Sequence, residues 1–326
     1  MPSARLFPVF TGLLMLTIVS WIIALAVGSV AVPLSDLFNH LTGQSNDQAA
    51  LVLQLRVPRA MAAWLTGAML ALAGCLMQVL LRNPLADPYI LGVSGGAACA
   101  ALIGITLGVG AAWLPPLAFS GAMLAMITVF GLARGSGAWS ATRLLLTGVV
   151  LAAGWGALIS LILALSPDNS LRGMLFWLMG DLSLASMPVW SNGLFVLIFA
   201  VTMLRARSLN VLAMGETTAR LLGEDSTRLQ WLIYLLASLL TAAAVAMAGS
   251  IGFVGLIIPH MMRLLVGSDH RVLLPAATLF GGSFLLLADT AARTVLAPQQ
   301  LPVGVITALA GVPLFLLLLN RARLSQ

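Results

Sequence analysis

Few side chains in this chain could carry out chemistry, and they are scattered. The three histidines, His40, His260 and His270, fall in separate segments, and no paired acid or nucleophile motif accompanies them. Cys75 and Cys99 lie in apolar stretches at a spacing that favours neither a metal site nor a disulfide, so we interpret them as small packing residues. The sequence therefore predicts no catalytic site and no metal site.

The chain also has no lysine, because all sixteen basic side chains are arginines. A Walker A loop needs its lysine to reach the β- and γ-phosphates of ATP. We therefore expect that this polypeptide is not a P-loop ATPase, and that any ATP-driven work is done by another chain.

Arginines at the ends of apolar stretches could bind an acidic partner instead. Arg56 and Arg59 lie three residues apart before one such stretch, and Arg293 follows another, one turn after Asp289. These arginines could simply anchor in the membrane interface, but we prefer contact with acidic side chains of a partner. Asp289 is predicted to form an i,i+4 ion pair that orients Arg293.

The longest polar interruption of the chain is residues 205–225, which hold three of its ten acids. Apolar residues recur on one side of this segment. Gly215 divides it into two short helical pieces, and Gly223 ends the second piece. The segment is either an interfacial helix pair lying on the membrane or a docking surface for a cytoplasmic partner.

Residues 82–96 form a second interruption, a polar turn that leads into a glycine-lined apolar helix. Pro84 and Pro88 remove backbone donors and push Asn83 and Asp87 toward extended geometry. The glycines that follow let neighbouring backbones approach closely. This pattern favours a membrane protein whose helices are interrupted where something passes between them.

The rest of the chain is apolar enough to be membrane-embedded. It is 60% hydrophobic and 8% charged over 326 residues, with a mean hydropathy of +1.06, which leaves too little polar surface for a soluble protein. Runs of about 20 apolar residues can cross a bilayer. We predict ten of them, at 8–30, 60–81, 90–109, 114–133, 143–165, 187–204, 229–249, 251–266, 272–297 and 301–320. The fourth begins with Pro115 and Pro116 and the eighth contains Pro259, so either could be a half-helix.

The distribution of charge predicts the orientation. The first apolar run continues to Val32 without a clear cleavage site, so we expect an uncleaved span. If ten spans alternate from a cytoplasmic N-terminus, twelve arginines lie inside, and only Arg56, Arg59, Arg172 and Arg293 lie outside. Both termini are then cytoplasmic, and the net charge of +6 reflects a rim beside anionic lipid rather than nucleic-acid binding.

The two halves of the chain, about 1–166 and 167–326, echo each other weakly. At an offset of 175, six alanine, glycine, leucine and proline residues of 71–92 recur in 246–267. Chance can produce such matches in a chain rich in alanine and leucine. A true repeat would be inverted because it spans an odd number of crossings, as in many alternating-access transporters.

Several of these segments resemble the signatures of one family, the FecCD permeases. They are the membrane subunits of ATP-binding cassette (ABC) importers for ferric siderophores, haem and cobalamin. The resemblance covers nearly the whole chain in the right order. Its motifs are 83–88 (NPLADP), 92–96 (GVSGG), 212–216 (LAMGE), 219–223 (ARLLG), 252–260 (GFVGLIIPH), 301–305 (LPVGV) and 311–313 (GVP). Segments 56–59, 268–271 and 288–293 are similar to the cobalamin members, but they recur too widely among relatives to assign a substrate.

The resemblance implies an all-α membrane protein of about ten transmembrane helices with the fold of a type II ABC importer permease, in one domain over residues 1–326. It implies a homodimer in the bacterial inner membrane, with the pathway along the twofold axis. Two cytoplasmic ATPase subunits that use ATP and Mg would drive it, and a periplasmic or lipoprotein substrate-binding protein would dock from outside. This chain itself would bind no cofactor and no nucleic acid.

Roles for individual residues also follow from the resemblance. Arg56, Arg59 and Arg293 would dock the binding protein. Residues 208–224 would be the cytoplasmic coupling helices, seated in a cleft of the ATPase. The coupling residues are Leu212, Gly215, Glu216, Arg220 and Gly223.

The cytoplasmic gate of the pathway would be formed by residues of two segments, Asn83, Leu85, Ser140, Ala141 and Thr142. Ala141 departs from the run of hydroxyl residues expected from the cobalamin members, which leaves the details of this gate open. His260 is either a hydrogen-bonding residue at a helix break or a ligand for a substrate metal, and we favour the structural role.

Three classes of function stay open on sequence grounds. The ABC importer permease is the preferred one, with ferric siderophores as the favoured cargo, followed by cobalamin and then haem. An ion-coupled secondary transporter would need acids within the membrane, for which Asp289 is the one poor candidate. A membrane-bound enzyme would need a clustered catalytic set.

Overall fold

The structure is a computed structural model that describes residues 6–28, 32–33, 35–36, 39, 42, 47–133, 141–183 and 189–324. Within these ranges the chain forms α-helices and short 3-10 turns, without a β-strand. The α-helices are α1 (Leu6–Ala26), α2 (Asp47–Leu80), α3 (Val93–Thr106), α4 (Leu114–Ala133), α5 (Ala141–Leu165), α6 (Asp168–Leu178), α7 (Val189–Leu204), α8 (Ala206–Ala213), α9 (Glu216–Leu221), α10 (Ser226–Ala248), α11 (Val254–Val266), α12 (His270–Ala292) and α13 (Val303–Leu324).

Each of the ten predicted spans contains an apolar helix. Among the described residues, six helices are long and apolar enough to cross a membrane, namely α1, α2, α4, α5, α10 and α12. The pair of α7 and α8, bent by 61°, passes the same test as one broken span. The remaining three spans correspond to shorter apolar helices, namely α3, α11 and the part of α13 from Val303 to Leu318.

Besides α3, which is shorter than predicted, two helices differ from the prediction. α2 begins at Asp47 rather than at residue 60, because its polar first part is held against α1, where the Arg56 guanidinium donates to the Leu25 and Ala26 carbonyl oxygens. Pro58 lies inside this helix. α6 was not predicted, since its polar and charged residues break the apolar pattern on which the spans were recognised.

The half-helices are α3 and α11. They have 14 and 13 residues, so at ~1.5 Å per residue each spans only ~20 Å of a hydrocarbon core that is ~30 Å thick. Of the two spans that could be half-helices, the eighth is therefore short and the fourth is of full length. α4 has 20 residues, and Pro115 and Pro116 lie in its first turn, where a missing N–H leaves no hydrogen bond unmade.

The N-terminal ends of α3 and α11 meet inside the protein. The Ile251 N–H, just before α11, donates to the Tyr89 hydroxyl at 3.1 Å, and Tyr89 belongs to the 3-10 turn before α3. A Cβ added at Gly255 would lie 2.7 Å from Pro88. The two interrupted segments therefore form one junction, which rests on α2.

α2 is the central helix of the bundle, and its 34 residues pack against α1, α10, α11 and α12. Glycines allow this packing. A Cβ added at Gly74 would collide with the Gly255 carbonyl oxygen, and one at Gly67 would collide with the Gly281 carbonyl oxygen. Helices in lipid associate through such close backbone approach, since the lipid tails are as apolar as the side chains.

The inverted repeat remains a prediction. The offset of 175 pairs Pro84, which lies in a turn, with Pro259, which lies inside α11. The matched residues thus have different local structures at this pair.

We expect Gly74→Val to disrupt the packing of α2 on α11. The colliding atom is backbone, which cannot rotate away, so the cost should be at least the ~1–3 kcal/mol typical of overpacked cores. Thermal unfolding in detergent should show a lowered midpoint. Gly12→Val is the matched control, because no atom lies within 4 Å of a Cβ at Gly12. Equal midpoints for the two variants would contradict this account of the packing.

Candidate transport and coupling sites

The polar segment 205–225 forms the two short helices α8 and α9, and we call the end of the bundle that carries them the hairpin end. Gly215 separates the two helices with φ 119° and ψ 153°, a conformation that is essentially restricted to glycine. Leu209 and Leu212 of α8 are buried, as is Ala219 of α9. The apolar side of the segment therefore faces the bundle.

Polar contacts fix the shape of this hairpin. Glu216 and Arg220 form an ion pair at 2.6 Å. Gly223, with φ 82°, follows α9 in a Schellman motif in which the Gly223 and Glu224 N–H groups donate to the Arg220 and Ala219 carbonyl oxygens. The Ser208 hydroxyl donates to the Glu224 carboxylate at 2.7 Å and thereby ties α8 to the end of α9.

The hairpin exposes large apolar side chains. Met214 is 70% exposed, Leu221 83% and Leu222 62%. Apolar groups that cluster on a polar surface segment typically mark an interaction site. Of the residues predicted for coupling, Leu212 supports the hairpin from within, whereas Gly215 and Gly223 shape it, and Glu216 and Arg220 pair with each other.

The turn 82–92 is held by two side chains that mimic backbone turns. The Asn83 Oδ1 atom accepts from the Leu85 N–H at 2.9 Å, and the Asp87 Oδ1 atom accepts from the Tyr89 N–H at 2.7 Å. Burial raises the pKa of Asp87 to about 6, although the hydrogen bond from Tyr89 opposes this shift. Ionisation of Asp87 therefore disfavours the folded state as the pH rises from about 4 to about 6.

The predicted gate is only partly described. Asn83 and Leu85 are exposed in the turn, and Thr142 is exposed near the start of α5. Ser140 lies outside the described residues. Ala141 begins α5, and its side chain is not described. The gate therefore stays a prediction.

At the opposite end of the bundle, one buried carboxylate holds two arginines. Asp289 in α12 is fully buried, and Arg59 in α2 pairs with it through Nη2–Oδ1 at 2.8 Å and Nε–Oδ2 at 3.0 Å. Arg293 lies at 3.6 Å from the same carboxylate. The predicted i,i+4 pair is thus confirmed. The closer partner, Arg59, lies 230 residues away in the sequence.

The other arginine contacts cap the end of α1. The Arg293 guanidinium donates to the Ala24 carbonyl oxygen, and the Arg56 guanidinium donates to Leu25 and Ala26. Carbonyl groups in the last turn of a helix lack partners within the helix and carry partial negative charge. Arg56 and Arg293 therefore supply both a donor and a compensating charge.

The sequence predicts Arg56, Arg59 and Arg293 to be charges available to a partner at the surface, and these contacts correct that interpretation. Arg56 is 8% exposed, and the side chains of Arg293 and Arg59 are 9% and 15% exposed. The sequence could not reveal the burial, because the carbonyl groups and the carboxylate that the arginines bind come from distant segments. Docking of a partner at this end stays a prediction, with Arg59 as the most exposed of the three.

A pocket of about 860 Å³ opens at the same end. The end of α10 contributes to it, as do the first turn of α4, the amphipathic α6 and the segment before α13. Its lining residues are Ile105, Ala111, Leu114, Pro115, Asn169, Arg172, Gly173, Phe176, Trp177, Asp181, Ser183, Ala246, Met247, Gly249, Pro298, Gln299 and Gln300. A mixed apolar and polar wall of this kind can hold a large amphipathic solute.

No metal centre is formed by the described residues, which contain no group of three or more histidine, cysteine or acidic side chains. His260 lies in α11, and its buried Nδ1 atom has no hydrogen-bond partner among them. The predicted hydrogen-bonding role of His260 is therefore not observed. Cys75 and Cys99 are buried free thiols, in agreement with a packing role.

Comparison with known proteins assigns the chain to a family. The FecCD transport family matches residues 16–321, and the chain belongs to this family of ABC transporter permeases. It is similar to the cobalamin import system permease protein BtuC of Halobacterium salinarum, with 45% identity over 83% of this chain and 73% of that protein. It is also similar to the hemin transport system permease protein HmuU of Yersinia pestis, with 40% identity over 93% of each chain.

A solved structure has the same fold as this chain. That structure shows an inward-facing conformation of a proposed metal-chelate type ABC transporter, and this chain superposes on it with a TM-score of 0.83 and 32% sequence identity. The match covers 97% of this chain and 99% of the other. The predicted all-α permease fold is thus confirmed.

We expect Asp289→Asn to destabilise the protein strongly, because it leaves Arg59 and Arg293 without a counter-charge in a buried site. Breaking a buried ion pair from one side typically costs about 3–5 kcal/mol. Arg228→Gln is the control, since the Arg228–Asp225 pair is exposed and exposed pairs contribute little. Thermal unfolding midpoints in detergent compare the two variants. If Asp289→Asn is as stable as Arg228→Gln, the carboxylate does not hold this end together.

Proposed function

We propose that this chain is the permease subunit of an ABC importer that moves a metal chelate across the bacterial inner membrane, with a ferric siderophore as the favoured cargo. Membership of the family supports the general role. The observation that carries the proposal is the hairpin of α8 and α9, which presents exposed apolar side chains on a segment fixed to the bundle. This is the geometry that a separate motor subunit would need in order to move the membrane helices.

The proposed motor is a pair of cytoplasmic ATPase subunits that use ATP and Mg. Met214, Leu221 and Leu222 would fill a cleft of the ATPase, while Leu212 and Ala219 transmit its movement to the buried side of the hairpin. Glu216 and Arg220 add charge at the rim of this contact. The chain contributes no lysine for a nucleotide site, so ATP would be bound entirely by the partner.

A second copy of the chain would complete the pathway. Only 6% of the residues in the most apolar window of α5 are buried within one chain, and no atom lies within 4 Å of a Cβ added at Gly154 or Gly156. Small residues on an unpacked helix face allow close approach of another helix. This supports a homodimer in which the exposed side of α5 faces the partner or the shared pathway.

A periplasmic or lipoprotein substrate-binding protein would dock at the end that carries the 860 Å³ pocket. Gln300 lines this pocket and accepts from Arg59 Nη1 at 2.9 Å, so the arginine cluster adjoins the proposed entrance. With this orientation, the hairpin and both termini are cytoplasmic.

The other cargoes and the other class of transporter are supported to different degrees by the relatives and by the contacts of Asp289. The relatives named for cobalamin and hemin transport support either of these cargoes in the same kind of importer. An ion-coupled transporter was the alternative from another class, and Asp289 was its candidate coupling acid. Since Asp289 is paired with Arg59 and Arg293, it is poorly suited to bind and release a proton during transport.

Replacing Gly215 with Val should uncouple ATP hydrolysis from transport. The backbone at Gly215 is unfavourable for any L-residue, at a cost of about 1–3 kcal/mol, whereas the space around it is open, with the nearest atom at 4.0 Å. The substitution should therefore reshape the hairpin without disturbing the membrane helices. The measurement is ATP-dependent uptake and ATPase activity in vesicles that contain the complete importer.

Gly223→Asn is the matched control, because asparagine tolerates the left-handed conformation at the end of a helix. We expect this variant to retain coupled transport. Normal coupled uptake by the Gly215→Val variant would remove the hairpin from the coupling mechanism.

The cargo can be assigned by uptake in a strain that lacks this chain. Expression of the intact chain should restore accumulation of a radiolabelled ferric siderophore, with little effect on labelled cobalamin or haem. The Gly215→Val variant, at equal membrane abundance, serves as the inactive control. Restoration of cobalamin or haem uptake alone would replace the siderophore as the cargo.

A further inference from the structure

A second polar pocket lies at the hairpin end, among the last turns of α2 and α11, the end of α8 and the start of α12. Its volume is about 580 Å³. The lining residues are Gln78, Val79, Arg82, Pro84, Asn210, Ala213, Met214, Arg263, Ser268, Asp269 and His270. The proposed coupling contact shares Met214 with this pocket, but it does not use the polar lining residues, which remain unexplained.

Two guanidinium groups line the pocket, those of Arg82 and Arg263. Within the described part of the chain, neither guanidinium group forms an ion pair or a hydrogen bond. The third charge is Asp269, whose Oδ1 atom accepts from the Asn210 side chain at 2.7 Å and from the Arg271 N–H at 3.0 Å. Two arginines and one carboxylate give the pocket a formal net charge of about +1, and the hydrogen bonds of Asp269 leave both guanidinium groups unpaired among the described residues.

His270 adds a hydrogen-bond acceptor whose character follows from its neighbours. The Asn210 side-chain nitrogen donates to Asp269, so the Asn210 side-chain oxygen faces His270. This oxygen accepts from the backbone N–H of His270 at 2.8 Å. The His270 Nδ1 atom lies 2.6 Å from the same oxygen and must therefore carry the proton. This leaves the Nε2 atom as an acceptor. It has no partner among the described residues, although His270 is only 2% exposed.

Gln78 adds a second acceptor in the same way. Its amide nitrogen donates to the Leu256 carbonyl oxygen at 3.2 Å, which fixes the orientation of the amide. The Oε1 atom is left without a partner among the described residues, and Gln78 is 3% exposed. Buried acceptors of this kind are usually satisfied. Gln78 and His270 line the same pocket as the two unpaired arginines, and this combination indicates a polar ligand.

We propose that this pocket binds a phosphate group that retains a hydroxyl, either inorganic phosphate or a phosphate monoester headgroup. The charged oxygens of such a group accept from Arg82 and Arg263, for which phosphate is a preferred partner. Its hydroxyl donates to Gln78 Oε1 or His270 Nε2. Sulfate and phosphate diesters offer the charge without a donor, so they leave both acceptors unsatisfied. The proposal does not depend on the cargo or on the ATPase partner.

The test uses the purified full-length chain in detergent at pH 7 and constant ionic strength. Isothermal titration with inorganic phosphate should give an affinity at least about tenfold higher than titration with sulfate, which corresponds to about 1.4 kcal/mol. Arg82→Gln changes an exposed side chain and should weaken both anions. Gln78→Leu should reduce the preference for phosphate while leaving sulfate binding unchanged. Equal binding of the two anions, no binding of phosphate, or binding unchanged in Arg82→Gln would overturn the proposal.

Lipid nanodiscs distinguish the two sources of the phosphate group. Phosphatidic acid carries a phosphate monoester, with a charge of about −1.5 to −2 at neutral pH, whereas phosphatidylglycerol is a diester with a single negative charge. If the site takes a lipid headgroup, phosphatidic acid but not phosphatidylglycerol should compete with inorganic phosphate, and Arg82→Gln should abolish the difference. If the site takes a free anion, neither lipid should compete and the phosphate titration should be unchanged. Equal competition by both lipids would show that charge alone is recognised and would contradict the proposal.

Discussion

Close backbone contact along α2 is the constraint on which the rest of this structure depends. A helix surrounded by other helices in lipid gains little from the hydrophobic effect, so it must be held by packing at short range. Gly67 and Gly74 bring α12 and α11 against α2 at distances that a side chain would forbid. The junction between the half-helices α3 and α11 rests on this contact, since Gly255 lies between Gly74 and Pro88.

The same two helices carry both ends of the molecule. α2 contributes Arg59 at one end and Gln78 at the other, and α12 contributes Asp289 and His270. Because α2 and α12 are in contact at Gly67 and Gly281, a displacement imposed at the hairpin end can reach the arginine cluster through rigid helices. Rigid-body movement of packed helices is a common basis of switching in proteins. This arrangement suits a permease that responds on one side to a motor and on the other to a solute carrier.

The sequence predicted the features that depend on local composition. Apolar run length located a helix in each predicted span, of which six among the described residues are long enough to cross a membrane on their own. Gly215 and Gly223 located the two short helices of the hairpin, because glycine is favoured where the backbone has a positive φ. It did not predict α6, whose amphipathic pattern does not resemble a span, or the short length of α3. It also placed Arg56 and Arg293 on the surface, since their partners in α1 and the Arg59–Asp289 pair arise only from tertiary contacts.

The central claim is that this chain is a passive pathway driven by a separate ATPase, and reconstitution tests it most directly. The chain, the ATPase and the substrate-binding protein would be placed in proteoliposomes, with labelled ferric siderophore bound to the binding protein outside the bilayer and ATP supplied on the side of the ATPase. The account predicts that uptake requires ATP and the Walker A lysine of the ATPase, and that it persists when ion gradients are dissipated. Uptake by this chain alone in response to a proton or sodium gradient would contradict it.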